Sequence, residues 1–117
     1  MANTISYRGG SLDRPTLSWE RVATAGVQGI ELNWSDGVTA GAVEAALSPH
    51  GLRVTSLSLP CPLEDEDLPS RFGEAAQLAA DLGARYLFTS TRGDEMSLDE
   101  AAGRLQKLGD ATGAHEV

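Results

Sequence analysis

Glu31 and Asn33 are the first residues in this chain that ask for a chemical explanation. They sit two apart in GIELNW, residues 29–34, inside an otherwise apolar run. Such a run, opened by a glycine turn, reads as a buried strand. Side chains alternate across a strand, so if Ile30 and Leu32 face helices, Glu31 and Asn33 point together to the opposite side. They bring a carboxylate acceptor and an amide that both donates and accepts. Trp34 follows with an apolar surface, suited to a binding wall or to ordinary loop packing.

Other groups with chemical potential are scattered. Arg8 and Arg92 are expected at the ends of the first and fourth strands, where a guanidinium can grip a phosphate or carboxylate bidentately. The simpler use of each is an ion pair with the acidic loops. Glu31 likewise has an alternative, an interior pair with Arg8 or with a neighbouring strand. His50 precedes Gly51 at a helix end, where an imidazolium complements the helix dipole. His115 stands without a partner at metal-site spacing. Cys61 lies between two prolines with no histidine nearby in sequence, which fits a passive loop thiol. The EDED run at 64–67 lacks the glycine and spacing of a calcium loop and reads as a solvated turn.

The elements that position these groups alternate strictly. NTISYR (3–8) reads as a first strand ended by Gly9 and Gly10, and LSWERVATAG as a helix stopped at Gly26. GIELNW is the second strand. TAGAVEAALSPH is a second helix with Val43, Ala46 and Leu47 on its apolar face, ended by Pro49 and Gly51. LRVTSLSLP (52–60) is the third strand, followed by the loop CPLEDED. In DLPSRFGEAAQLAADLG, Phe72, Ala75, Ala76, Ala79 and Leu82 fall at helical spacing before Gly83. ARYLFTST is the fourth strand. The last helix opens on SLDE, where Ser97 and Glu100 have capping-box spacing, and carries Leu98, Ala101, Ala102, Leu105 and Leu108.

Strict βα alternation predicts parallel strands joined by right-handed crossovers. An open doubly wound sheet and part of a (βα)8 barrel both satisfy it. The RGGS after the first strand lacks the spacing of a dinucleotide-binding loop, and polar residues at inward strand positions favour a barrel interior. The expectation is therefore an α/β fold, the parallel (βα)4 half of a TIM-type (βα)8 barrel. It forms a single domain over 1–117, with a fifth strand only begun at HEV.

Composition narrows the partners. The chain has 117 residues, 41% of them hydrophobic, enough for a core. Nine basic against seventeen acidic residues leave a net charge of −8, which repels nucleic acid and anionic membrane surfaces. No apolar run approaches the roughly 20 residues of a membrane span, and MANTISYRGG lacks the apolar core of a secretory signal. A single cysteine excludes an internal disulfide and suits a cytoplasmic setting.

The ordered set AGVQGIELNW, HGLRVTSLSLP and EAAQLAADLGARYLFTSTRG resembles the xylose isomerase-like TIM barrels. This superfamily comprises sugar phosphate isomerases/epimerases and the AP endonuclease family 2 (endonuclease IV-like) proteins. The resemblance covers nearly the whole chain but only the first half of such a barrel, which runs to about 250 residues. It implies a sugar or sugar phosphate substrate for the parent barrel and a divalent metal in complete members. That metal is held by Glu, Asp, His and Glu on strands five to eight. No metal site is expected within this chain, and no cofactor; in endonuclease IV-like members histidines stand roughly where Ser58 and Ser90 stand here.

On this resemblance the chain supplies substrate-facing walls through Arg8, Glu31, Asn33, Trp34, Ser90 and Arg92, and no catalytic residue can be assigned. Alone it is expected to lack metal-dependent isomerase activity. The alternative is a non-catalytic scaffold or binding half-barrel. Its exposed edge strands would then pair in a homodimer or with a complementing half-barrel, strand four of one copy beside strand one of the other.

Overall fold

A computed structural model describes residues 5–92 and 96–113. In chain order the strands are β1 (Ser6–Ser11), β2 (Gly29–Asn33), β3 (Arg53–Ser58), β4 (Cys61–Pro62), β5 (Tyr86–Phe88) and β6 (Thr91–Arg92). The helices are α1 (Trp19–Thr24), α2 (Ala40–Leu47), α3 (Leu68–Leu82) and α4 (Leu98–Gly113), with a 3-10 turn at Ser48–His50. β1, β2, β3 and β5 form one parallel sheet in that order, and β4 pairs with β6 in a small separate ladder.

Local chemistry sets the helix ends. The hydroxyls of Ser18, Thr39 and Ser97 accept from the N–H groups of Arg21, Ala42 and Glu100, at 3.3, 3.2 and 3.2 Å. Each satisfies an N–H that the first helical turn leaves without a partner. At the other end of α3, Gly83 turns left-handed at φ 72° and its N–H reaches the carbonyls of Ala79 and Ala80.

The alternation expected along β2 is observed. Ile30 and Leu32 have no exposed surface and join Val22 of α1, Val43 and Leu47 of α2, and Val54 and Leu57 of β3 in one core. Glu31 is half-buried and Asn33 exposed. A second cluster gathers Leu59, Cys61, Leu63, Leu68, Phe72, Ala75 and Leu108, joining α3 and α4 to the loop after β3. The buried positions of α1, α2 and α3 thus pack against the strand side chains that alternate with Glu31 and Asn33. A doubly wound sheet carries helices on both faces; here they cover one, as they do outside a barrel. This selects the half-barrel from the two architectures the sequence allowed.

Three expectations need correction. β1 does not end at Gly9 and Gly10 but runs through them to Ser11, with its register to β2 shifting between Arg8 and Gly10. The glycines serve the strand. A Cβ on Gly9 would lie 2.7 Å from the Trp19 ring, and Gly10 has φ 80° beside Pro15, so they form a bulge rather than a stop. ARYLFTST does not form one strand: β5 covers three residues, and after a break the chain re-forms as β6 opposite β4. Arg92 therefore lies on this rim ladder, not at the end of a main-sheet strand, and Arg8 lies inside β1 rather than at its end. Asn3, Thr4, His115 and the HEV segment lie outside the described residues.

The two edges of the sheet differ. Thr16 covers the outer side of β1: its N–H donates to Gly9 O at 3.0 Å and its hydroxyl to Arg8 O at 3.3 Å, while Gly10 and Pro15 form an antiparallel bridge. On β5, Phe88 O accepts from Leu59 N–H on the β3 side at 3.2 Å. By alternation the N–H and C=O of Leu87 point away from the sheet. No strand pairs on that side of β5 among the described residues.

The burial pattern of β2 predicts unequal costs. Leu32→Ala should lower unfolding free energy by about 2–5 kcal/mol, the range for a fully buried leucine. Asn33→Ala should change it by less than about 0.5 kcal/mol, as expected for an exposed site. Urea denaturation of the two variants checks this, and equal losses would contradict the assigned faces.

Candidate functional site

The ladder registers arrange the side chains of the helix-free face in rows. Ser6, Gly29 and Arg53 align at the start of the strands; Arg8, Glu31, Ser56 and Tyr86 align in the middle; Ser11, Asn33, Ser58 and Phe88 align at the C-terminal ends. A second bulge, between Ile30 and Glu31, inserts Thr55 between the first two rows. Its hydroxyl lies 3.0 Å from that of Ser6. Gly29 makes room for this contact, because a Cβ there would come within 2.6 Å of the Ser6 hydroxyl.

The first and middle rows border a depression of about 800 Å³, lined by Ser6, Glu31, Arg53, Thr55, Tyr86 and Phe88 among others; of the C-terminal row only Phe88 reaches it. Arg8 bridges two of its lining residues. Its Nε lies 3.4 Å from Glu31 Oε2, and its guanidinium carbon lies 5.5 Å from the centre of the Phe88 ring. β1 and β5 are the outermost strands of the sheet, so this cation–π contact crosses the face from one edge to the other. The same guanidinium thus sees an anion on one side and an aromatic face on the other. Both members of the ion pair are partly exposed, at 71% and 40% of their side chains, so solvent screens it strongly.

Of the residues singled out from sequence, Arg8 and Glu31 meet directly, and Asn33 stands one row nearer the strand ends. Ser58 aligns with Asn33. Trp34 packs against both hydrophobic clusters, and its backbone N–H donates to Ser58 O at 2.7 Å. Ser90 is exposed in the break between β5 and β6. His50 ends the 3-10 turn at the surface. Cys61 is buried in the second cluster. Asp65 of the EDED run pairs with Arg71 and accepts from Asp67 N–H at 2.9 Å, so the run organises the entry to α3.

Sequence reasoning missed Tyr86, Phe88 and Ser11. Both aromatic rings are exposed on this face, at 69% and 52%. Counting by twos from the core residue Leu87 would have placed them there. Ser11 was hidden by the assumption that two glycines end a strand.

Among the described residues, no three His, Cys, Asp or Glu side chains gather around one point. The one carboxylate in the rows, Glu31, is already engaged by Arg8. The described side chains do not fit a divalent ion.

The exposure of the Arg8–Glu31 pair sets its expected worth. A double-mutant cycle with Arg8→Ala and Glu31→Ala, followed by urea denaturation, should give a coupling below about 1 kcal/mol. A coupling of several kcal/mol would mean that the pair is shielded from water, contrary to this geometry.

No protein-family model matches the sequence, and no curated protein matches it. Among solved structures, the chain is similar to the crystal structure of a sugar phosphate isomerase/epimerase from Parabacteroides distasonis ATCC 8503. The TM-score is 0.64 at 16% sequence identity, covering 85% of this chain and 42% of that one. The chain thus spans less than half the length of the protein it matches. At this identity the likeness is one of fold, and it agrees with the parallel sheet and one-sided helices: the chain is an α/β half-barrel of the type found in that sugar phosphate isomerase/epimerase.

Proposed function

We propose that the chain is the N-terminal (βα)4 portion of a sugar phosphate isomerase/epimerase-like barrel and contributes a substrate-facing wall to it. The observation that carries this reading is the row Ser11, Asn33, Ser58 and Phe88 at the C-terminal ends of the strands, with Arg8 and Glu31 just beneath. In barrels of this architecture the C-terminal mouth is where substrate is bound. The likeness in fold to a sugar phosphate isomerase/epimerase supports the substrate class.

The chemistry of the row suits a phosphorylated polyol. Hydroxyl and amide groups exchange hydrogen bonds with sugar hydroxyls, and an exposed aromatic face offers its apolar surface to the C–H side of the sugar. Arg8 can hold a phosphate or carboxylate once it releases Glu31, and Glu31 then becomes an acceptor for a sugar hydroxyl. Ser90 and Arg92 lie at the rim, where a longer substrate would reach. These groups bind and orient; proton transfer and metal chemistry belong to the remainder of such a barrel.

A second reading, a self-associating half-barrel, draws on the outer edge of β5, on which no strand pairs among the described residues, beside the exposed Tyr86 and Phe88. Head-to-tail closure, β5 of one copy beside β1 of the next, would need Thr16 and Pro15 to leave the edge of β1.

Two measurements test the primary reading. Titration of the chain with a sugar phosphate, followed by amide resonances, should shift Ser11, Asn33, Ser58 and their neighbours, and Arg8→Ala should weaken the response about tenfold. Shifts elsewhere, or none at millimolar ligand, would count against the wall. With Mn²⁺ or Mg²⁺ and sugar phosphates, the purified 117-residue chain should show no turnover; activity abolished by a chelator would contradict the division of labour.

A further inference from the structure

The hydroxyl groups that line the depression on the helix-free face are not equally engaged. Those of Ser6 and Thr55 lie 3.0 Å apart, and Thr55 also donates to Ile30 O at 3.3 Å, so the fold uses both. Ser56, the next residue along β3, is only 7% exposed and is the one polar side chain among the buried residues described. Its hydroxyl has no hydrogen-bond partner among the described residues. No side-chain oxygen sealed from solvent lacks a partner there, so this hydroxyl opens into the depression that Ser56 lines. Buried hydroxyls are nearly always paired. An orphan that opens into a cavity points to a partner that enters the cavity.

The burial of Ser56 does not depend on what completes the barrel. β3 is flanked by β2 and β5, and Ser56 is in register with Glu31 on one side and Tyr86 on the other. Neighbouring strands lie about 4.8 Å apart, so one small group can reach both the Ser56 hydroxyl and the Glu31 carboxylate. Arg8 attends the same place. Its Nε is 3.4 Å from Glu31 on β2 and its guanidinium carbon 5.5 Å from the Phe88 ring centre on β5, so it stands across β3, the strand between them.

We propose that Ser56 is a substrate-binding residue that recognises a sugar hydroxyl at the floor of this site, and that Arg8 frees Glu31 to share that hydroxyl when it takes the phosphate. The proposal rests on the sugar phosphate reading above and adds the residue that recognises the sugar rather than the phosphate. Donor and acceptor chemistry sets the arrangement. A carboxylate only accepts, whereas a serine hydroxyl also donates. A single sugar hydroxyl between the two therefore donates to Glu31 and accepts from Ser56, satisfying the hydroxyl that the fold leaves unpaired. While Arg8 holds Glu31, that carboxylate is engaged. A phosphate dianion draws the guanidinium away, because the existing ion pair is partly exposed and weak. Binding of the anion and of the sugar are thus linked through one side chain.

Titrations of the 117-residue chain with inorganic phosphate and with ribose 5-phosphate, followed by amide resonances, separate the two roles. Arg8→Ala should weaken both responses about tenfold. Ser56→Ala should weaken the response to ribose 5-phosphate about tenfold and leave that to inorganic phosphate unchanged. Because the hydroxyl makes no bond within the fold, Ser56→Ala should not lower the urea midpoint, which separates lost recognition from lost structure. Equal affinity of Ser56→Ala and the parent chain for ribose 5-phosphate, with Ser11, Asn33 and Ser58 still shifting, overturns this proposal and leaves the wall reading standing. An equal loss for both ligands overturns it as well, since Ser56 would then act through Arg8. No response to ribose 5-phosphate at millimolar concentration overturns the wall reading and this proposal together.

Discussion

The alternation of side chains along β2 is the constraint on which the rest of the structure depends. Ile30 and Leu32 must enter the core, because together with Val54 and Leu57 they are what the helices pack against. Once they do, the pleat leaves Glu31 and Asn33 only the opposite face. The parallel registers extend this decision to the neighbouring strands, so that Arg8, Ser11, Ser58, Tyr86 and Phe88 join the same side. A slip of one residue would move apolar side chains to water and a carboxylate into the helix interface, at a cost no local contact offsets. The hydrophobic demand of a few residues therefore assembles a polar face that none of them touches.

That face is not a finished barrel interior. In a closed barrel, inward side chains fill the centre in layers contributed by alternate strands; here Arg8 crosses the open face and the two aromatic rings remain exposed. The edges differ for a local reason. The register of β1 shifts between Arg8 and Gly10, the Trp19 ring leaves no room for a side chain at Gly9, and Thr16 returns along the strand to donate to the carbonyls of Arg8 and Gly9. Among the described residues no strand pairs with the outer side of β5, and the chain after it re-forms as β6 opposite β4. The outer side of β1 is covered at Arg8, Gly9 and Gly10 by the chain's own Pro15 and Thr16.

The alternation of the main strands and helices was legible in the sequence because it rests on strong local signals: helical spacing in α3, the capping-box pair Ser97 and Glu100, and the β2 alternation; the short β4 and β6 were not. Strand limits were less so. Gly9 and Gly10 look like punctuation, and only the register between β1 and β2, which shifts there, shows that they form a bulge. ARYLFTST reads as one continuous strand, because the break between β5 and β6 depends on where the loop after β3 comes to lie. For the candidate site, the pairing of Glu31 with Arg8 was among the sequence-level alternatives. For Trp34 the sequence left a binding wall and ordinary loop packing both open, and its contact with two hydrophobic clusters emerges only from the fold. The aromatic row emerges only when register between strands is known.

β1, β2, β3 and β5 curve into a half-barrel whose polar face is concave, and a nuclear Overhauser measurement between the Arg8 side chain and the Phe88 ring in the isotopically labelled chain reads that curvature directly. A cross-peak is expected, because the guanidinium lies 5.5 Å from the ring centre. In a flat sheet the two strands stand three inter-strand spacings apart, roughly 14 Å. Absence of the cross-peak in a folded chain, with Phe88 instead contacting helix side chains, would contradict both the curvature and the assignment of faces.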